Sequence, residues 1–141
     1  RPFSIIVVDA DNFKGINGNY GHTWGDSVLK SIVNEIVASV RNIDVVSRYG
    51  GDEFVAILKN LNNECNDDIK KIVTRMKEKI NDLVFNTRNE SFKISCSFGV
   101  VIFRNKKHIE KLSKEEIFSK ADSLLYASKS MGKNEINMTE I

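Results

Sequence analysis

Two adjacent carboxylates, Asp52 and Glu53, follow directly on a pair of glycines, Gly50 and Gly51, with Arg48 just upstream. Acids crowded at a bare turn repel each other unless a cation neutralises them, and oxygen-rich clusters of this kind suit Mg²⁺. The glycine pair allows the tight, positive-φ turn of a two-residue β-hairpin and leaves no side chain to block an approaching ligand. A third acid, Asp9, ends the apolar run Phe3 to Val8. Neighbouring strands lie about 5 Å apart. If the run and the hairpin are neighbours, Asp9 and Asp52 share one Mg²⁺ or flank a pair of ions. Two ions roughly 4 Å apart stabilise both the attacking and the leaving oxygen of an in-line phosphoryl transfer. The plain alternative makes Asp9 a turn cap and Asp52 and Glu53 solvated hairpin charges; an isolated acid pair favours it.

The elements that must position these acids are legible as patterns. Phe3 to Val8 has the nearly continuous apolar character of a strand covered on both faces. A polar, glycine-bearing loop is expected over Asp11 to Gly21. From Thr23 to Val40, Val28, Leu29, Ile32, Val33, Ile36, Val37 and Val40 recur at helical spacing. Val45 to Tyr49 and Phe54 to Leu58 flank the Gly-Gly turn and should pair as antiparallel strands. A second helix carries Ile69, Ile72, Val73, Met76, Ile80 and Leu83 on one side. Phe92 to Ser97 and Phe98 to Phe103 read as one long strand, or as two with Gly99 at a bend. Arg104 to Lys114 reads as a loop, and Lys114 to Met131 as a third helix with Ile117, Ala121, Leu124, Leu125 and Ser128 inward. Gly132 stops it, and Glu135 to Met138 reads as an edge strand. Helices alternating with hairpin-joined strands make the class α+β, an antiparallel-rich sheet flanked by helices.

The 141 residues fit a single domain, and 41% hydrophobic with 28% charged residues is ordinary for a globular protein. A net charge of +2 argues against a broad nucleic-acid or membrane footprint. Cys65 and Cys96 form no C-x-x-C pair, and Cys96 shares a face with Phe92, Ile94 and Phe98, so it reads as a core thiol. A reducing, cytoplasmic setting is the expectation. No run is apolar and long enough to span a membrane, and no signal peptide is visible. The chain opens at Arg1 without a methionine, so residues 1–141 are expected to be an excerpt of a larger protein.

The string Arg48-Tyr49-Gly50-Gly51-Asp52-Glu53-Phe54 resembles the signature of the GGDEF domain family, the diguanylate cyclases, which condense two GTP molecules into cyclic di-GMP. A second stretch, Asp9-Ala10-Asp11-Asn12-Phe13-Lys14-Gly15-Ile16-Asn17 running on through Gly21-His22 to Gly25-Asp26, is similar to the family pattern D-x-D-x-F-K-x-I-N-D-x-x-G-H-x-x-G-D. The third, Leu125 to Asn134, resembles the closing motif L-Y-x-A-K-x-x-G-[RK]-N, with Ser128 in place of alanine. Gly18 stands where the family usually has aspartate, which would loosen the segment positioning Asn17. The family's L-T-x-L-x-N-R stretch, on a helix before the first strand, has no counterpart here. The resemblance implies a five-stranded sheet similar to nucleotidyl cyclases and the polymerase palm.

It also implies roles. Asp9, the carbonyl of Ala10, and Asp52 would ligate Mg²⁺ or Mn²⁺, two ions per half-site, with Glu53 completing the acidic cluster. Asp52 and Glu53 are candidates for deprotonating the attacking 3′-hydroxyl. Phe13 and Lys14 belong to the loop that grips the triphosphate with backbone N–H groups, a concavity well suited to anions. Gly50 and Gly51 leave room for the nucleotide. Asp26 would accept from N1–H and the 2-amino group of guanine, with Asn17 as its amide partner, favouring GTP over ATP. A carboxylate near a helix N-terminus is the structural alternative for Asp26. Lys129 and Lys133 match basic positions that contact the triphosphate, and Arg48 one credited with phosphate or product contacts. His22 and Trp24 read as structural, and His108 as surface.

Arg41 and Asp44 form an R-x-x-D string separated from Gly50 by five residues, where many family members carry a product-inhibition site. Elsewhere such a string usually means a loop ion pair, worth at most about 1 kcal/mol when exposed. Lys70, Lys71 or Arg75 could complete the site. Homodimerisation would be part of the chemistry, set by an upstream sensor or receiver domain, with no nucleic-acid or membrane contact by the domain itself. Two other functions stay open: an inactive module binding cyclic di-GMP or GTP, and a cyclase of another specificity.

Overall fold

A computed structural model describes residues 2–61 and 65–141. The apolar run forms β1 (Phe3–Ala10), and it is central. The hairpin strands are β2 (Val45–Arg48) and β3 (Glu53–Leu58). After β4 (Val84–Asn86) and β5 (Ser91–Lys93) come β6 (Cys96–Phe103) and β7 (Ile136–Glu140). The main sheet has the order β2-β3-β1-β6-β7, antiparallel except for the parallel edge pair β6–β7. It is the expected five-stranded α+β sheet.

Helices cover both faces, which explains why β1 and β6 are apolar almost throughout. On one face Ile6, Val8, Phe54, Ala56, Phe98 and Val100 pack against α2 (His22–Ser39) and α3 (Asn66–Asp82) through Ile32, Ile36, Val73 and Met76. On the other, Ile5, Val7, Val55 and Val101 meet Ala121 and Leu125 of α5 (Lys114–Ser130). Ser113 caps α5, its hydroxyl accepting from the Glu116 amide while the Glu116 carboxylate reaches back. At the other end Gly132 takes φ 111°, as a helix stop requires.

Four expectations need correction. Phe13–Tyr20 is not a loop but a helix, α1: burial of Ile16 and packing of Phe13 and Tyr20 against the core override its glycines and asparagines. Gly50 and Gly51 do not take positive φ, because the connection is longer than two residues; Arg48 pairs with Phe54, and the amides of Tyr49 and Gly50 both donate to the Glu53 carbonyl. Residues 92–103 are not one strand with a bend at Gly99. The break falls at Ile94–Ser95, β5 pairs back onto β4 in a separate hairpin, and β6 runs straight through Gly99. The stretch after β6 holds a short helix, α4 (Lys106–Glu110), on which His108 is exposed.

Cys96 is buried as a core thiol, and burial pushes its pKa well above the usual range. Trp24 packs edge-on against Phe92, which also stacks on Tyr20. Among the described residues no helix is long and apolar enough to cross a membrane.

Candidate active site

Strand pleating puts alternate residues on one face, so Asp9 follows Ile5 and Val7 onto the α5 side of the sheet. Its direct neighbours across the two ladders are Glu53 on β3 and Ser97 on β6. The sheet register thus brings the acid of the first motif beside the acids of the second. Asp52 joins them at the mouth of the hairpin, where its carbonyl accepts from the Ala10 amide at 3.1 Å.

The electrostatics record the crowding. Burial first, and then the neighbouring Asp52, push the Asp9 carboxyl up to about 6, although Lys129 opposes the shift. Glu53 rises to about 7, through burial first, then the charges of Asp122 on α5 and of Asp9. One oxygen of Asp9, Oδ1, is buried without a hydrogen-bond partner. A buried unpaired acceptor among acids that resist ionising fits a cation, so the residues present suit a divalent ion held by Asp9, the Ala10 carbonyl and Asp52. Among the described residues, no three acid, histidine or cysteine side chains converge closely enough to form a metal cage by themselves. Such an ion would therefore need backbone and ligand oxygens as well.

Lys129 enters this corner from the last turn of α5. Its Nζ lies 3.2 Å from the Ala10 carbonyl, 3.4 Å from Asp9 Oδ2 and 3.0 Å from Asp11 Oδ1. Burial would lower its pKa, but bonding to Asp11 and the charge of Asp9 raise it, so the ammonium is fully charged. Asp11, to which sequence reasoning gave no role, is the knot of the region. It is buried and accepts from Ser95 Oγ and Ser97 Oγ, both at 2.6 Å, from the Asn134 amide at 2.9 Å and from Lys129. Against the burial that would raise it, these bonds hold its pKa below the usual carboxylate value. Lys133, at φ 66° in the turn after α5, is exposed.

Beside the hairpin lies a cleft of about 380 Å³ between α2 and the β2–β3 pair, lined by Asp26, Leu29, Lys30, Val33, Arg48 and Phe54. Asp26 is exposed just after the first turn of α2, not buried as a base-reading carboxylate would be once ligand covers it. Asn17, on α1, packs so closely on Gly25 that a Cβ there would lie 1.9 Å from Asn17 Oδ1. That oxygen is also buried without a partner. Phe13 approaches Gly25 from the same side, while Lys14 and Gly18 are exposed, with nothing within 4 Å of a Cβ at Gly18. Arg48 folds over the hairpin and donates to the carbonyls of Gly50 and Gly51. Tyr49 stacks on Phe118 of α5 at 5.6 Å, which ties the hairpin to that helix. His22 is exposed at the start of α2.

Arg41 and Asp44 pair with each other. Arg41 Nε and Nη2 reach the two carboxylate oxygens at 3.0 Å, and the backbone amide of Arg41 donates to Asp44 at 2.8 Å. Asp44 also accepts from the Lys59 amide, and Arg41 donates to the Lys59 carbonyl. Burial alone would raise Asp44, yet these donors hold it below its ordinary pKa. Ser128, the departure from the closing motif, is buried and donates to the Phe98 carbonyl at 2.7 Å, so the extra hydroxyl is satisfied.

A family model described as "Diguanylate cyclase, GGDEF domain" matches residues 1–135. Diguanylate cyclase DgcP of Pseudomonas aeruginosa is 32% identical over 134 residues, 95% of this chain but 19% of that protein. Diguanylate cyclase A of Treponema denticola is 31% identical over 140 residues, covering 99% of this chain and 36% of that protein. The chain thus spans a minor part of these relatives' length. Among solved structures, the GGDEF domain of DgcB from Caulobacter crescentus in complex with c-di-GMP superposes with a TM-score of 0.84 at 27% identity, covering 97% of this chain and 77% of that one. The active GGEEF domain of a diguanylate cyclase from Vibrio cholerae gives 0.83 at 26% identity, over 98% and 83% of the two chains.

Proposed function

We propose, from the premise that this chain belongs to the GGDEF family of diguanylate cyclase domains, that it condenses two GTP molecules into cyclic di-GMP with release of two pyrophosphates. The observation that carries this reading is the register of Asp9 opposite Glu53, with Asp52 alongside and one Asp9 oxygen buried without a partner.

Asp9, the Ala10 carbonyl, Asp52 and Glu53 would hold Mg²⁺ or Mn²⁺, two ions per half-site. When bound, such ions supply Lewis-acid stabilisation of the attacking and leaving oxygens. The reaction forms a bond between the 3′-oxygen of one GTP and the α-phosphorus of the other. The α–β bridging bond breaks and its electron pair leaves with pyrophosphate. The 3′-hydroxyl proton needs an acceptor, and the carboxylates of Asp52 and Glu53 are the groups placed to take it. Asp26 and Asn17 receive the guanine edge at the α2 cleft. Lys129, Lys133, Lys14 and the amides of the Phe13 turn take the triphosphate, Gly50 and Gly51 keep its path clear, and Arg48 braces the hairpin.

Each protomer supplies one such set, and a ring with two phosphodiester links needs two, so a homodimer is part of the reaction. An upstream sensor or receiver domain in a longer parent protein would govern that pairing. Product inhibition at Arg41 and Asp44 belongs to the same reading. A guanine bound there must draw Arg41 away from Asp44 and from the Lys59 carbonyl.

Incubation with GTP and Mg²⁺ at high protein concentration, followed by chromatography, tests the proposal. Cyclic di-GMP should form from GTP and not from ATP, and Asp52→Ala should abolish it. A folded wild-type protein that binds cyclic di-GMP but never makes it would make this a receptor instead. Loss of that binding in Arg41→Ala would then locate the receptor site.

A further inference from the structure

The oxygens nominated for the divalent ion already have a cation among them. Lys129 Nζ sits within 3.4 Å of Asp9 Oδ2 and 3.2 Å of the Ala10 carbonyl, two of the groups nominated as ligands. An ammonium there and a divalent ion on the same two oxygens compete for the same negative potential. The third contact of Lys129, at 3.0 Å, is to Asp11, which is nominated for nothing. Asp11 has three other donors from Ser95, Ser97 and Asn134, so its own position does not depend on the lysine. The side chain therefore has a fixed pivot on one side and an exchangeable contact on the other.

We infer that Lys129 is a tethered counter-cation: it occupies the Asp9–Ala10 corner while no divalent ion is present and yields that corner when one binds, pivoting on Asp11 towards the incoming triphosphate. This rests on the reading of Asp9 and Ala10 as metal ligands. Three consequences follow from one movement. The charge of Asp9 is partly offset in the resting protein. A divalent ion alone binds weakly, because it must displace an ammonium. Metal and nucleotide reinforce each other, since the freed ammonium finds its new partner on the phosphate.

The test is calorimetric binding of Mn²⁺ to the nucleotide-free protein, in wild type, Lys129→Met and Lys133→Met. The two variants lose the same net charge, but Lys133 is exposed. Lys129→Met should bind Mn²⁺ about tenfold tighter than wild type, the order expected for removing one nearby, partly buried charge. Lys133→Met should stay within about twofold, since solvent and salt screen an exposed charge. Equal affinity in Lys129→Met and wild type, or equal gains in both variants, overturns the inference and leaves the metal site intact. No Mn²⁺ binding by any of the three, with or without GTP, overturns the metal reading and this inference with it. Should Lys129→Met fail to fold, the unmodified protein decides: the ¹³Cε signal of Lys129 must move on titration with Mg²⁺ alone. A signal that holds still at metal saturation overturns the proposal.

Discussion

At the scale of single residues, Glu53 shows what assembling acids costs the fold. Burial first, then the charges of Asp122 from α5 and of Asp9 across the ladder, raise its pKa from an ordinary 4.5 to about 7. A carboxyl whose folded pKa is raised contributes stability that is complete below the unfolded value and is lost as pH rises through the folded one. In metal-free protein, Glu53→Gln should therefore gain stability relative to wild type between pH 5 and pH 8. The gain should be about 1 kcal/mol, once the shift is discounted for the partial exposure of the group. Urea unfolding in EDTA at the two pH values measures this, and a difference that does not change with pH would refute the account. The same variant should turn over GTP at least about a hundredfold more slowly, the usual scale for losing a positioned general base. Asp9, Asp52 and Glu53 were legible because their motifs carry them. Asp11 was not, for its partners Ser95 and Ser97 lie 84 and 86 residues away, and no local pattern announces such bonds.

At the scale of elements, the site depends on how closely α5 approaches the sheet. A Cβ on Gly99 would lie 2.3 Å from the Ala121 carbonyl oxygen and 2.5 Å from the Leu125 amide nitrogen, both helix backbone that cannot turn aside. Gly99→Ala should destabilise the protein by about 3 kcal/mol, at the upper end of overpacking costs. Because the displaced helix carries Lys129, GTP affinity should fall as well. Thermal unfolding and nucleotide titration check the two effects, and a variant as stable as wild type would show that the contact yields. The glycine was conspicuous in the sequence, but as a bend in a strand; that a helix rests on it is a tertiary fact. Helix α1 was hidden for the opposite reason. Its glycines and asparagines advertise a loop, and the burial of Ile16 with the packing of Phe13 and Tyr20 pulls Phe13–Tyr20 into a helix. Gly18, exposed on that helix with open space around it, costs about 1 kcal/mol relative to alanine. Gly18→Ala should recover most of this in a chemical melt. If instead it destabilises, the packing of α1 is not as described.

At the scale of the molecule, the sequence left one condition open, whether the first strand and the hairpin are neighbours; the order β2-β3-β1-β6-β7 meets it and sets Asp9 beside the hairpin acids. What lay beyond the pattern was the role of the second face: α5 crosses it and delivers Phe118, Asp122 and Lys129 to the hairpin and the acids. The acids, the α2 cleft and the exposed Tyr49 lie around the end of β1 and the β2–β3 connection, so the proposed nucleotide site sits beside the acid cluster. Under the proposed reaction, a product with two identical linkages calls for two copies whose clusters face each other, each presenting a nucleotide to the other. Below the dissociation constant of such a pair, the dimer population follows the square of protomer concentration. Diluting the protein tenfold at saturating GTP and Mg²⁺ should thus lower the rate of cyclic di-GMP formation about a hundredfold, and fusion to a constitutive coiled-coil dimer should restore linear dependence. Rate strictly proportional to concentration in the unfused chain, with light scattering reporting a monomer throughout, would mean that one protomer closes the ring alone and that the twofold scheme is wrong.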